Sequence, residues 1–149
     1  MNRELLPEYI FGFMPILRRK LFKRHPACDL PNQQMNVLIH ISFNDGQPMN
    51  HYGHKMSISK PNLTKVVNRL IDGGFVTRGK DKNDRRIITL HMTEEGKAIV
   101  ANHWNDMKEQ IMESTKTLSD DEMQALYDSF ETIKEIFEKL DETREEKSL

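Results

Sequence analysis

Hydrogen-bonding and cationic side chains alternate with aliphatic ones in the segment SISKPNLTKVVNRLIDGGFV, residues 57–76. The aliphatic residues recur at helical spacing, which predicts a helix with one buried face. They are Leu63, Val66, Val67 and Leu70. The polar and cationic side chains of this segment are of the types that form hydrogen bonds to phosphates and base edges. They include Lys60, Asn62, Thr64, Lys65 and Asn68. The pattern is therefore typical of a helix that recognises DNA.

Local signals set the limits of this recognition helix. Ser59 is a residue type that caps helices, and Pro61 is tolerated in a first turn. The pair Gly73 and Gly74 should end the helix, because glycine accepts the left-handed conformation at low cost. The backbone N–H groups of the first turn, together with the helix dipole, favour binding of a phosphate.

A second group of cations lies in the segment that follows. Residues 75–79 and 87–91 are rich in β-branched and aromatic side chains, and the polar sequence GKDKND between them predicts the tip of a β-hairpin. A guanidinium fits a narrow, negatively charged minor groove, so we expect Arg86 to bind there. Asp84, two residues earlier, is placed to hold its fork. The alternative is an ordinary surface ion pair between these two residues.

Charge is unevenly distributed along the 149 residues, although the net charge is only -1. Residues 55–86 contain nine basic and three acidic side chains, a net charge of +6. Residues 104–149 contain six basic and fourteen acidic side chains, a net charge of -8. The middle of the chain is therefore suited to a polyanion, and its C-terminal part is repelled by one.

Apolar spacing and capping residues predict the other helices. Pro15 falls inside the first helix and should bend or split it. Thr93 should cap the fifth helix, and Ser119 with Glu122 has the capping-box pattern that begins the last one. The expected ranges are about residues 5–21, 32–43, 50–56, 59–73, 93–117 and 119 onward.

The last helix has apolar residues at alternating spacings of three and four, which is the period of a coiled-coil seam. They are Met123, Leu126, Phe130, Ile133, Phe137 and Leu140. Such a seam requires a partner helix. We therefore expect the terminal helices to bury part of their surface against a second copy of the chain, giving a homodimer. An intramolecular bundle is the alternative.

The succession of helix, turn, helix and basic hairpin is that of a winged helix-turn-helix. At residues 84–96, DRRIITLHMTEEG, the chain resembles the MarR family of bacterial transcriptional regulators. Asp84, Arg86, Leu90 and Thr93 match the family's wing pattern DxRxxxLxxT, and Gly96 follows at the usual place. SISKPNLTKVVNRL is also similar to the family's recognition helix. The resemblance implies a mainly α fold with a small β-hairpin wing.

The same resemblance divides the chain into regions. Residues 32–96 would form the winged helix-turn-helix DNA-binding region, and residues 1–31 with 97–149 would form a helical dimerisation region. From the recognition helix and the turn before it, we expect DNA contacts by Ser57, Ser59, Lys60, Asn62, Thr64, Lys65 and Arg69. From the wing, we expect contacts by Lys80, Lys82, Asp84, Arg85 and Arg86.

These features predict a dimeric transcription factor, which we expect to be a repressor. Its site would be an imperfect inverted repeat in double-stranded DNA, with half-sites about 10 bp apart. Regulators similar to this family often bind small aromatic or anionic effectors, whose binding residues in this chain are unknown. Possible lining residues are Phe13, Met14, Leu17, Met35 and Trp104, each of which could equally be a core residue.

Three alternatives remain open. The single cysteine, Cys28, lies beside His25 and two basic residues, where peroxide sensing is conceivable. Six histidines raise metal sensing, although only His51 and His54 are spaced to share a helix face. An interaction module that has lost DNA binding would require a neutral wing and recognition helix, whereas both are basic here.

Other function classes are disfavoured. The sequence contains no Gly-rich phosphate loop, nucleophile elbow or paired metal-binding motif, so we expect neither an enzyme nor a bound cofactor or metal. No apolar run approaches the ~20 residues of a membrane span. The N-terminus has Glu4 and Glu8 where a secretory signal would be basic and then apolar. We therefore expect a cytoplasmic protein.

Overall fold

A computed structural model describes residues 3–21 and 30–145, with side chains for residues 4–21 and 30–139. A 3-10 turn, Arg3–Leu5, precedes the helices. The helices are α1 Leu6–Leu21, α2 Asn32–Phe43, α3 Met49–Met56, α4 Lys60–Asp72, α5 Glu94–Thr115 and α6 Asp120–Glu145, and the strands are β1 Val76–Lys80 and β2 Ile88–Met92. The prediction of a mainly α fold with one small hairpin is confirmed.

The described residues form two compact units, one of residues 30–109 and the other of residues 3–21 and 110–145. The boundary lies inside α5, which contributes to both units. None of the helices within the described ranges is long and apolar enough to cross a bilayer.

The unit of residues 30–109 contains a continuous hydrophobic core. Every aliphatic residue assigned to the inner face of the recognition helix α4 is buried in it, which confirms the helical pattern. The core consists of Met35, Val37, Leu38, Ile41, Tyr52, Leu63, Val66, Val67, Leu70, Val76, Leu90 and Val100. It thus joins α2, α3 and α4 to the hairpin and to the first half of α5.

The hairpin is antiparallel, with Val76 opposite Met92 and Lys80 opposite Ile88. Both strands begin one residue later than the sequence predicted. A third segment pairs with β2, because Pro48 bridges to Thr89. This segment was not predicted, since its contact depends on tertiary packing and not on a local alternating pattern.

Backbone conformation, not side-chain capping, forms the turn between α3 and α4. Ser57 is left-handed, with φ of +52°, and its N–H donates to the carbonyl of His54 at 3.3 Å. Ser59 occupies the N-cap position of α4, but its hydroxyl makes no capping hydrogen bond. The expected cap is therefore wrong in its chemistry. Pro61, at the second helical position, lacks one of the two N–H groups that an N-cap oxygen usually accepts.

The later helices begin as predicted. The Thr93 hydroxyl accepts a hydrogen bond from the Gly96 N–H at 3.0 Å, capping α5. Before α6, the Glu122 carboxylate accepts from the Ser119 N–H at 2.9 Å, and the Ser119 hydroxyl accepts from the Glu122 N–H at 3.2 Å. This is the capping box that the sequence indicated.

The unit of residues 3–21 and 110–145 has much exposed apolar surface. Pro15 does not split α1, which is one continuous helix of 16 residues with no buried residue. Within α6, the seam residues Phe130, Ile133 and Phe137 are 41%, 42% and 55% exposed. The side chain of Leu140, the last predicted seam residue, lies outside the described residues.

Candidate nucleic-acid interface

The outer face of α4 has the polar side chains that the sequence predicted there. Lys60, Asn62, Lys65 and Arg69 are exposed, whereas the opposite face is fully buried. Thr64 is partly buried, and its hydroxyl donates to the carbonyl of Lys60 at 2.8 Å. Thr64 therefore retains only its oxygen lone pairs and methyl group for a base, which narrows the role expected of it.

Exposed serines precede this helix. Both Ser57 and Ser59 lie on the surface of the turn that begins α4. Each serine hydroxyl has one O–H donor, and the oxygen of Ser59 accepts no capping hydrogen bond from the helix. Backbone and hydroxyl donors at a helix start are suited to a phosphate oxygen.

The wing has a fixed guanidinium. The Asp84 carboxylate accepts the Nε–H of Arg86 at 3.0 Å and an Nη2–H at 2.9 Å, and it also accepts the Arg86 backbone N–H at 3.0 Å. The Arg86 side chain is 91% exposed, against 36% for Asp84. The pair is therefore a bidentate fork that presents a cation to solvent in a defined orientation.

Hydrogen bonds within the loop hold its carboxylates ionised. Arg86, through its side chain and then its backbone N–H, lowers the pKa of Asp84. The backbone N–H groups of Asp84 and Asn83 lower the pKa of Asp81 in the same way, at 3.0 and 2.8 Å. The loop is thus ordered by its own side chains, and the remaining predicted wing cations are exposed around it. They are Lys80, Lys82 and Arg85.

The recognition helix and the wing lie on the same side of the 30–109 unit. Lys60 and Arg86 both line one cleft of about 530 Å³, between the start of α4 and the base of the hairpin. The cleft wall also includes Gly53 and His54 of α3 and the apolar Ile87 and Ile88. The recognition helix and the wing therefore each place one cation on the same cleft.

The other residues of the wing motif hold the hairpin against the helices. Leu90 is fully buried, and Thr93 donates its hydroxyl to the carbonyl of Gly74 at 2.7 Å while it caps α5. A Cβ on Gly96 would lie 2.3 Å from the carbonyl oxygen of Phe75, so only glycine fits there. Each motif position thus has a physical cause in this fold.

Comparison with known proteins supports the same reading. The model of the MarR family matches residues 30–88. The HTH-type transcriptional regulator YpoP of Bacillus subtilis is 28% identical over 139 residues, covering 88% of this chain and 93% of that protein. Residues 30–88 of this chain are therefore a MarR-family domain.

Two further similarities concern Escherichia coli proteins. The homoprotocatechuate degradative operon repressor is 27% identical over 100 residues, 67% of this chain and 63% of that one. The crystal structure of a mutant MarR complexed with operator DNA is 25% identical, with a TM-score of 0.61, and covers 87% of this chain and 95% of that chain. The family and these relatives are transcriptional regulators, so the prediction that the chain is not an enzyme is confirmed.

One contact between α4 and β1 was not predicted. Arg78, on β1, donates from Nη2 to the Oδ1 atom of Asn68 on α4 at 2.5 Å. Asn68 belonged to the polar face recognised in the sequence but was not among the expected DNA contacts. Asn68 follows Lys65 by three residues and so lies on the same exposed stripe of α4. This spacing is the signal that would have added Asn68 to the candidate residues of the interface.

A second cavity, of about 370 Å³, is a candidate binding site for a small effector. It lies within the 30–109 unit and is lined by Ser42, Asp45, Met92, Lys97, Val100, Ala101 and Trp104. Trp104 is thus beside a cavity, whereas Met35, another suggested lining residue, belongs to the core. Glu94 forms an ion pair with Lys97 at 2.6 Å and raises the pKa of Lys97, so the ammonium at the edge of this cavity is protonated and already has an acidic partner.

The sequence left open peroxide sensing by Cys28 and metal sensing by histidines. Cys28 and His25 lie outside the described residues. Among the described residues, no three histidine or acidic side chains converge where they could hold a metal ion.

Proposed function

We propose that this MarR-family chain is a sequence-specific, DNA-binding transcriptional regulator that acts as a dimer in the cytoplasm. The observation that carries the proposal is the shared surface of α4 and the wing, where an exposed polar helix face lies beside a guanidinium fixed by Asp84. Such a surface supplies base contacts from α4 and a minor-groove contact from Arg86.

The DNA site of such a regulator is an imperfect inverted repeat. Two copies related by a two-fold axis place two recognition helices in successive major grooves, about 10 bp apart. A wing guanidinium in the minor groove favours A·T pairs at the outer ends of the site, because runs of A·T pairs narrow the minor groove and make its potential more negative. The DNA contacts in this proposal are those expected from the sequence. Thr64 contributes only as an acceptor or through its methyl group, because its hydroxyl donates to the carbonyl of Lys60.

Repression by this chain, relieved by a small ligand, completes the proposal. A relative of 27% identity is named as an operon repressor, which supports the direction of control. The cavity beside Trp104 supports an effector of modest size and aromatic character, since its lining is mainly apolar. Compounds that raise the melting temperature and also release the DNA would identify the effector.

Binding of the chain to its own upstream DNA tests the DNA-binding surface. We expect an affinity that falls steeply with salt, because several phosphates are neutralised. Arg86→Ala should weaken binding and remove the preference for A·T pairs at the ends of the site. Arg85→Ala, which removes an equal charge one residue away, should weaken binding to all sequences uniformly. Unchanged affinity and preference in Arg86→Ala would contradict the role of the wing.

A further inference from the structure

The recognition helix and the first strand of the wing are joined by a side-chain pair. Arg78 lies directly opposite Leu90 in the hairpin, and Leu90 is buried. Directly paired residues project from the same side of a sheet, so Arg78 projects from the side that packs on the helices. Its guanidinium reaches the exposed surface of α4 and donates to Asn68 Oδ1 at 2.5 Å.

This contact fixes the orientation of the Asn68 amide. A guanidinium has five donors and no acceptor, so the amide oxygen must face Arg78 and the amide nitrogen must face away. Asn68 is exposed and lies on the outer stripe of α4, three residues after Lys65. The outward groups at this point are therefore the Asn68 NH2 and the remaining N–H groups of Arg78.

The orientation changes which base the asparagine can bind. A free asparagine recognises adenine by accepting from N6 and donating to N7, which requires its oxygen to face the base. Here the oxygen is engaged by a cation, and an adenine amino group that approached its second lone pair would meet further donors. Guanine offers two acceptors, N7 and O6, on its major-groove edge.

We propose that Asn68 and Arg78 act as one unit that presents only hydrogen-bond donors and selects guanine at one position of each half-site. The inference rests on the DNA-binding function proposed above and adds a specificity determinant to it. A pair that only braced the hairpin against α4 would affect stability and leave base preference unchanged. Base preference is therefore the property to measure.

The experiment is selection of bound duplexes from a randomised pool by the full-length chain. The native protein should enrich guanine at one fixed position in each half-site. Arg78→Met keeps the aliphatic stem, frees the amide oxygen and should shift that position toward adenine, with a change in the G:A ratio of about tenfold. Lys55→Met, on α3, is the control, since it removes the same charge from an exposed position that is not among the expected DNA contacts and should leave the ratio unchanged.

A second variant covers the case in which Arg78→Met does not fold. Asn68→Asp, at an exposed helix position, replaces the outward amide donors with a carboxylate oxygen, which repels the acceptors of guanine, and should abolish guanine enrichment at that position alone. If a folded Arg78→Met, or Asn68→Asp where Arg78→Met does not fold, enriches the same base there as the native protein, the inference is overturned while the regulator function stands. A native protein that enriches no sequence would reject the proposed function, and the inference with it.

Discussion

The fork between Asp84 and Arg86 shows what a two-residue spacing achieves in a tight loop. One carboxylate accepts two guanidinium donors and also the backbone N–H of the same arginine. The backbone bond fixes the main chain, and the two side-chain bonds fix the guanidinium plane. This local geometry was predictable from the sequence, because both partners belong to one turn. Arg78 and Asn68, ten residues apart on different elements, could be paired only once the fold was known.

The same fork predicts how Asp84 titrates. Its pKa is lowered by Arg86, so the fork's contribution to wing stability is fully present above the unfolded value of about 3.9 and is lost as the pH falls through the lower folded value. The carboxyl carbon shift of Asp84, followed by NMR, should therefore have a midpoint below about 3.9. Arg86→Ala should raise that midpoint and Arg85→Ala should not. Equal midpoints in all three proteins would contradict the fork.

At the scale of elements, the sequence predicts best where local signals agree. The limits of α2 were predicted to the residue, and those of α4 and the hairpin to within one residue, because periodicity, glycine and turn signals coincide there. The strand-like contact of Pro48 with Thr89 was missed because it depends on a tertiary neighbour. Ser59 makes no capping hydrogen bond, and Pro61 removes one of the two N–H groups from which its hydroxyl could have accepted one.

Gly96 provides a test of how closely α5 approaches the recognition helix's end. A Cβ there would lie 2.3 Å from the Phe75 carbonyl oxygen, so Gly96→Ala must move backbone and should destabilise the protein by about 1–3 kcal/mol. Urea unfolding followed by the fluorescence of Trp104, the single tryptophan, measures the change. Gly12→Ala is the control, because nothing lies within 4 Å of that site and alanine favours a helix interior. An unchanged unfolding midpoint for Gly96→Ala would contradict the close approach.

At the scale of the whole molecule, the helices at the two ends of the chain both expose apolar side chains. The seam residues of α6 repeat every 3.5 residues, three of them (Phe130, Ile133 and Phe137) are exposed in a single chain, and α1 has no buried residue. A large exposed apolar surface in a monomer is costly and marks an interface. The C-terminal charge of -8 would be repelled by DNA, so this surface is suited to a second copy of the chain and not to the operator.

Dimerisation should therefore determine operator affinity even though the seam contains no expected DNA contact. Replacing both Phe130 and Phe137 with lysine places two charges in the seam and should give monomers by sedimentation. A monomer binds one half-site, and loss of the linked second site should reduce affinity for the full inverted repeat by about 100-fold or more. Affinity for an isolated half-site should change little, because α4 and the wing are untouched.

The matched control for this prediction is the pair Gln124→Lys and Thr132→Lys on the same helix. These positions lie off the seam, and the two substitutions add the same charge, so the protein should remain dimeric and bind the full repeat with nearly native affinity. If the seam variant stays dimeric, another surface joins the two copies. If it becomes monomeric and keeps full affinity for the repeat, the two recognition helices act independently, and the spacing of half-sites is not set by the terminal helices.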